Sequence, residues 1–164
     1  DPVNRLGTLI DADHTAKVRS YLDKAADEGL TPVAGTLSDT IGPVIFEVAD
    51  AASVLASEEV FGPVLAVIPV RSIDEAVQIA NRTDYGLAAS LFTSNVKNAM
   101  RAARDIRAGT VTVNAYGEGD ITTPFGGYKQ SGFGGRDNGL AAHDQFTEMK
   151  TIWVDLSDRR PDAM

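Results

Sequence analysis

Cysteine is absent from the 164 residues, which removes disulfides, thiolate metal sites and a cysteine nucleophile from this chain at once. Histidine is scarce. His14 and His143 stand far apart, each in a helix-like context, so no zinc-type ligand spacing forms and no metal is expected. Aromatics make up only 7% while Ala, Val, Gly and Ile are common, which suits helices layered on a sheet better than a small disulfide scaffold. Positive charge is also short: 15 Lys and Arg face 23 Asp and Glu, giving a formal net charge of −8. Such a surface repels phosphate backbones and anionic lipid, so neither nucleic acid nor a membrane is an expected partner. No run reaches the roughly eighteen apolar residues of a membrane span. No basic stretch followed by an apolar core opens the chain, so no leader is expected and the expected compartment is the cytoplasm. The opening DPVNRLG has no initiator Met and runs into a helix within a dozen residues. It reads as a cut through something longer, with tag removal or processing as other routes to the same start.

What is present is enough for one sizeable core: 43% of the residues are hydrophobic. From Asp13 to Glu28, apolar Ala16, Val18, Tyr21, Leu22, Ala25 and Ala26 recur at helical spacing, with Asp11 or Asp13 as N-cap and Gly29 just past the last turn. Pro32 to Thr36 and Ile41 to Val48 read as strands. LAVIPV (65–70) is an almost unbroken apolar run, as in a strand covered on both faces. SIDEAVQIANRT follows, with Ser72 and Glu75 forming a capping box. LAASLFT then predicts a strand, NVKNAMRAARDIRAG a helix ending at Gly109, and TVTVNA a strand. Strand–helix–strand–helix–strand predicts an α/β fold with an open, mainly parallel sheet and crossover helices. Residues 115–136 hold Gly, Pro and polar residues over a length that marks a functional or disordered loop. Asp137 to His143 reads as a short helix, FTEMKTIWVDL alternates as a terminal strand, and SDRRPDAM reads as a frayed tail.

The loop TTPFGGYKQSGFGG invites a phosphate reading, and two templates reject it. A P-loop needs a lysine directly after its glycine and then Ser or Thr, but Lys129 follows Tyr128 and precedes Gln130. A dinucleotide fingerprint begun at Gly132 puts Asp137 where its last glycine belongs, with no strand before it. A nucleophile elbow around Ser131 fails because Lys129 takes the place of its first glycine. A plain surface loop with turn glycines stays open beside a functional one. In SEEVFGPV, a carboxylate at the mouth of a parallel strand could accept from two neighbouring hydroxyls, as on a ribose. The bland alternative makes Glu58 and Glu59 solvated or first-turn acids and Phe61 core. Asn81-Arg82-Thr83 matches a glycosylation sequon, without meaning in this context. Arg101, Arg104 and Arg107 read as a solvated helix face rather than an anion site. Glu118 and Asp120 could be acid and base, a cation-attracting lip, or merely solvated.

EEVFGPV, YGLAASLFT, AGTVTVN and PFGGYKQSGFGG, in this order and spacing, resemble the aldehyde dehydrogenase superfamily over effectively the whole chain. YGEGDITTPFGGYKQSG and FTEMKTIW look most like the γ-glutamyl-γ-aminobutyraldehyde dehydrogenases of putrescine breakdown. The resemblance implies an NAD- or NADP-dependent oxidation of an aldehyde to an acid through a cysteine thioester, with betaine aldehyde or another semialdehyde as alternative substrates. The nucleophile and the general base would both lie upstream of Asp1, so no catalytic residue is expected here and the chain alone should be inactive. By the same resemblance, Glu59 holds the nicotinamide-ribose hydroxyls, Phe61 packs by the nicotinamide and Phe125 walls the aldehyde tunnel beside the thiol. Gly117 and Gly119, alternating with Glu118 and Asp120, stand where some relatives carry bulky aromatics. That implies an open, acidic mouth for a polar or amine-bearing aldehyde. Residues 1–145 would be a partial catalytic domain, 146–156 an oligomerisation strand and 157–164 the tail, with a homodimer or homotetramer as the parent assembly. A different reading is a non-catalytic assembly module. An upstream cysteine and nucleotide domain in the reading frame would favour the enzyme, and a start codon just before Asp1 the module.

Overall fold

A computed structural model of the chain describes residues 6–38, 40–117 and 119–156. The elements in order are α1 (Ala12–Asp27), β1 (Pro32–Ala34), β2 (Val44–Glu47), α2 (Val54–Ser57), β3 (Val64–Val67), α3 (Ile73–Ala80), β4 (Tyr85–Gly86), β5 (Ala88–Leu91), α4 (Val96–Asp105), β6 (Thr110–Val113) and β7 (Tyr128–Lys129), followed by a 3-10 turn at Leu140–Phe146. Asp11 caps α1 by accepting the His14 N–H at 2.7 Å. Gly29, at φ +79°, ends the helix by donating to the Ala26 carbonyl, a left-handed position that glycine takes without a Cβ penalty. Ser72 caps α3 by accepting the Glu75 N–H. The Glu75 carboxylate returns to the N–H of Arg71, one residue before the cap, rather than to that of Ser72.

The main core lies between α1 and the β1–β2–β3 sheet. Val18, Tyr21, Leu22 and Ala25 of α1 pack on Val44, Phe46 and Val48, with Val54, Leu55 and Val60 closing the end. Val18, Ala25 and Phe46 are wholly enclosed. Glu28, the C-cap of α1, then serves α2: its carboxylate accepts from the Ser53 hydroxyl and from the Val54 N–H. One residue thus ends α1 with its backbone N–H and starts α2 with its carboxylate.

The α/β class stands, and the parallel pairing takes the form of two separate pairs. β2 runs parallel to β3 from Val44↔Val64 to Glu47↔Val67, with β1 antiparallel on the outer edge. β5 runs parallel to β6, and α4 makes the crossover between them. β4 pairs with β7 instead, drawing the glycine loop onto the sheet end. LAVIPV is covered on one face only within this chain: Val64 and Ala66 turn inward while Leu65 and Val67 are exposed. Helix α4 stops at Asp105 instead of Gly109, because the Asn81 amide donates to the Asp105 carbonyl and accepts the Arg107 N–H. Those bonds take the backbone groups that another helical turn would need. FTEMKTIWVDL begins inside the 3-10 turn, and residues 147–156 form no strand within the chain, since a ladder needs a neighbour and none of the described strands supplies one. The frayed-tail expectation for 157–164 lies outside the described residues.

Candidate functional site

The stretch EEVFGP forms a turn from the end of α2 into β3, and one buried residue decides its orientation. Val60 is buried, so its neighbours Glu59 and Phe61 both face outward. Phe61 is 71% exposed and has φ +57°, unusual for an aromatic, which excludes the reading that made it core. Gly62 must be glycine, since a Cβ there would sit 2.8 Å from a Val18 methyl. Glu58 accepts a 3.0 Å hydrogen bond from the Tyr21 hydroxyl. That bond, with burial and the negative charge of Glu58 adding to it, raises the Tyr21 pKa. Glu59 makes no hydrogen bond or ion pair among the described residues and faces a cleft of about 380 Å³ with Thr83, Tyr85, Gln130 and Ser131.

A second hollow of about 270 Å³ lies beside it, lined by Phe125, Gly127, Asp137 and Gln145. Leu87 and Ser131 line both, so the Glu59 cleft and the Phe125 hollow meet at these two residues. The β4–β7 pairing and a bond from the Gly86 N–H to the Ser131 hydroxyl hold that junction. Phe125 is fixed through its backbone, which exchanges two 2.7 Å bonds with Asp137. Next to it the Gly126 carbonyl sits where a Cβ on Gly109 would be, so the AGTVTVN glycine permits the close approach of the PFGG loop.

Lys129 has a structural post: its ammonium donates to the carbonyls of Asn81 and Thr83 at 3.0 and 2.8 Å, closing the C-terminal end of α3. Asn81, the sequon residue, is occupied by its bonds to the α4 end. Arg101 pairs with Asp74 across α3 and α4, and Arg104 with Asp105, so these cations lie on a solvated, ion-paired face.

Phe61 is not brought to the cleft that Glu59 lines. It borders a shallow hollow with Leu6, Leu9 and Pro63. Asp120 lines none of these hollows. Its Oδ1 accepts from the hydroxyl and N–H of Thr122 and from the Thr123 hydroxyl, and these bonds, led by the Thr122 hydroxyl, hold its carboxyl below the ordinary aspartate value. Glu118 lies outside the described residues. Sequence reasoning did not single out Leu87, Asp137 or Gln145 as site residues, nor His14, which contacts Phe61 from 47 positions away. The glycine punctuation around Asp137 was the one local sign that could have marked it.

Comparison with known proteins identifies the family. A family model described as "Aldehyde dehydrogenase family" matches residues 1–152. Aminoacetaldehyde dehydrogenase of Pseudomonas aeruginosa is 52% identical over 160 residues, covering 96% of this chain and 32% of that protein. The NADP/NAD-dependent aldehyde dehydrogenase PuuC of Escherichia coli is 45% identical, with 95% and 32% covered. A solved structure of indole-3-acetaldehyde dehydrogenase complexed with NAD+ superposes with a TM-score of 0.87 at 44% identity, with 95% and 33% covered. The chain thus spans about a third of the length of the relatives it matches. The chain belongs to the aldehyde dehydrogenase family.

Proposed function

We propose that this chain is the C-terminal part of the catalytic domain of an NAD(P)-dependent aldehyde dehydrogenase, supplying the nicotinamide-ribose grip and one wall of the aldehyde tunnel. The observation that carries this reading is the meeting of the Glu59 cleft and the Phe125 hollow at Leu87 and Ser131. A hydride donor and its acceptor must lie side by side, and these hollows offer adjoining places for the two. Glu59 fits the cofactor, since an unpaired carboxylate suits two vicinal hydroxyls; Phe61, on the same turn but bordering a separate hollow, offers an exposed ring that suits a flat heterocycle. Bound NAD+ or NADP+ would supply the hydride acceptor. Glu59 would orient the ribose, Phe61 would pack by the ring, and Phe125 would shape the aldehyde side. The thiol and the general base would come from elsewhere in the full enzyme. The parent would be a homodimer or homotetramer, with residues 146–156 pairing into a neighbouring subunit.

The aldehyde is read as polar and amine-bearing, of the γ-glutamyl-γ-aminobutyraldehyde type. Two relatives named for aminoacetaldehyde and for NADP/NAD-dependent aldehyde oxidation support the general class. Asp120 lines none of the hollows described above, so the acidic-mouth reading rests on the place of residues 117–120 just before the PFGG loop in the sequence. Asp120→Asn keeps the Oδ1 acceptor for Thr122 while removing the charge, so the turn should survive. In the full-length enzyme, Asp120→Asn combined with Glu118→Gln should raise KM for a cationic aldehyde about three- to tenfold and leave a neutral aldehyde within about twofold. Equal changes for both aldehydes would defeat the acidic-mouth reading.

A further inference from the structure

Helix α1 meets the Glu58–Gly62 turn at three positions on one of its faces. His14, Val18 and Tyr21 stand four and three residues apart, the spacing that stacks side chains along a helix. At one end, His14 Nε2 donates to the Phe61 carbonyl at 2.7 Å, and the two rings lie 6.0 Å apart. Because a carbonyl only accepts, the bond requires the proton on Nε2. Nδ1 is buried with no hydrogen-bond partner among the described residues, so the ring's polar anchoring within them rests on that bond. In the middle, the enclosed Val18 fills the space that a side chain on Gly62 would need. At the other end, the Tyr21 hydroxyl engages Glu58. Phe61 holds a left-handed backbone, which surrounding contacts must impose on a residue with a Cβ.

We propose that the His14–Val18–Tyr21 face of α1 is a positioning device for the cofactor-contacting turn. His14 sets the Phe61 backbone and the direction of its ring. Tyr21 holds Glu58 through its Oε2, while Glu59, the other carboxylate lining the cleft, makes no hydrogen bond among the described residues and presents both oxygens to it. Neither His14 nor Tyr21 touches the cofactor; each acts through its partner on the turn. The inference rests on the assignment of Glu59 and Phe61 to the nicotinamide end of NAD(P).

Steady-state kinetics of the full-length enzyme test it. At saturating aldehyde, His14→Leu and Tyr21→Phe should each raise KM for NAD about three- to tenfold, the effect of one hydrogen bond, with KM for the aldehyde within about twofold. His14→Gln, which keeps an N–H donor near the place of Nε2, should return KM for NAD to within about twofold of the parent. Tyr21→Phe retains the packed ring, so it should fold even if His14→Leu does not. A purely structural role would lower the melting temperature and leave KM for NAD unchanged well below it, and that result overturns the proposal. Glu59→Gln, measured alongside, separates the two claims. If it too leaves KM for NAD unchanged, the site assignment falls and the positioning proposal with it. If it raises KM while His14→Leu and Tyr21→Phe do not, the positioning proposal alone falls.

Discussion

Lysine in a glycine loop commonly suggests phosphate, yet Lys129 spends its charge on protein carbonyls. Two bonds to Asn81 and Thr83 from a half-buried ammonium neutralise the negative end of α3. Lys129→Met keeps the stem and removes both, so it should cost about 1–3 kcal/mol of stability. The check is urea unfolding of the full-length enzyme beside its KM for NAD. Stability should fall with KM little changed, whereas a phosphate ligand would show the reverse. The failed P-loop spacing gave the sequence no phosphate role for Lys129. The actual partners were not, because they lie 46 and 48 residues away and meet Lys129 only through the β4–β7 pairing. Glu59 and Phe61 are singled out by the EEVFGP motif, and their cofactor roles stay a proposal. Their outward orientation follows from Val60 turning inward, a tertiary fact.

Helix starts were readable because their signals are local: Asp11 and Ser72 accept N–H groups three residues on. The end of α4 was not readable, since Asn81, 24 residues earlier, takes over the carbonyl of Asp105. The α1–α2 junction is likewise non-local, and it makes a prediction about acid. The Ser53 hydroxyl first, and the Val54 N–H second, hold the Glu28 carboxyl below its ordinary value of 4.5. A depressed folded value means that the unfolded chain binds more protons as pH falls toward that range. The junction's contribution is therefore present above pH 4.5 and is lost as pH drops through the folded value. Ser53→Ala removes the leading cause, so unfolding free energy should decline less steeply in acid for the variant than for the parent. Parallel acid limbs in a urea series would contradict this.

For the whole molecule, the total accessible surface is large, and large apolar side chains contribute to it. The chain exposes 12737 Å², against about 7,900 Å² expected for a compact monomer of its mass. Leu65 and Val67 leave one face of β3 bare, Val96 and Met100 form an exposed i, i+4 pair on α4, and Trp153 is 89% exposed in the unpaired final segment. Patches of this kind recruit partners. The 164-residue chain alone should therefore self-associate, and light scattering at high concentration should report species above 17.4 kDa. A clean monomer would refute that expectation. The near-continuous apolar LAVIPV reads as a strand covered on both faces, and the alternating FTEMKTIWVDL as a terminal strand that pairs with another subunit. The α/β class was legible from the strand–helix–strand–helix–strand succession over residues 65–114, whereas the division into two parallel pairs and the unpaired end depend on what the rest of a sheet supplies.

In the proposed enzyme, cofactor and aldehyde meet where the Glu59 cleft joins the Phe125 hollow. A crystal structure of the full-length enzyme with NAD+ tests it most directly. Both nicotinamide-ribose hydroxyls should lie within hydrogen-bond distance of the Glu59 carboxylate, with the nicotinamide turned toward the Leu87–Ser131 junction. A ribose bound away from Glu59, with that carboxylate still facing open cleft, would contradict it.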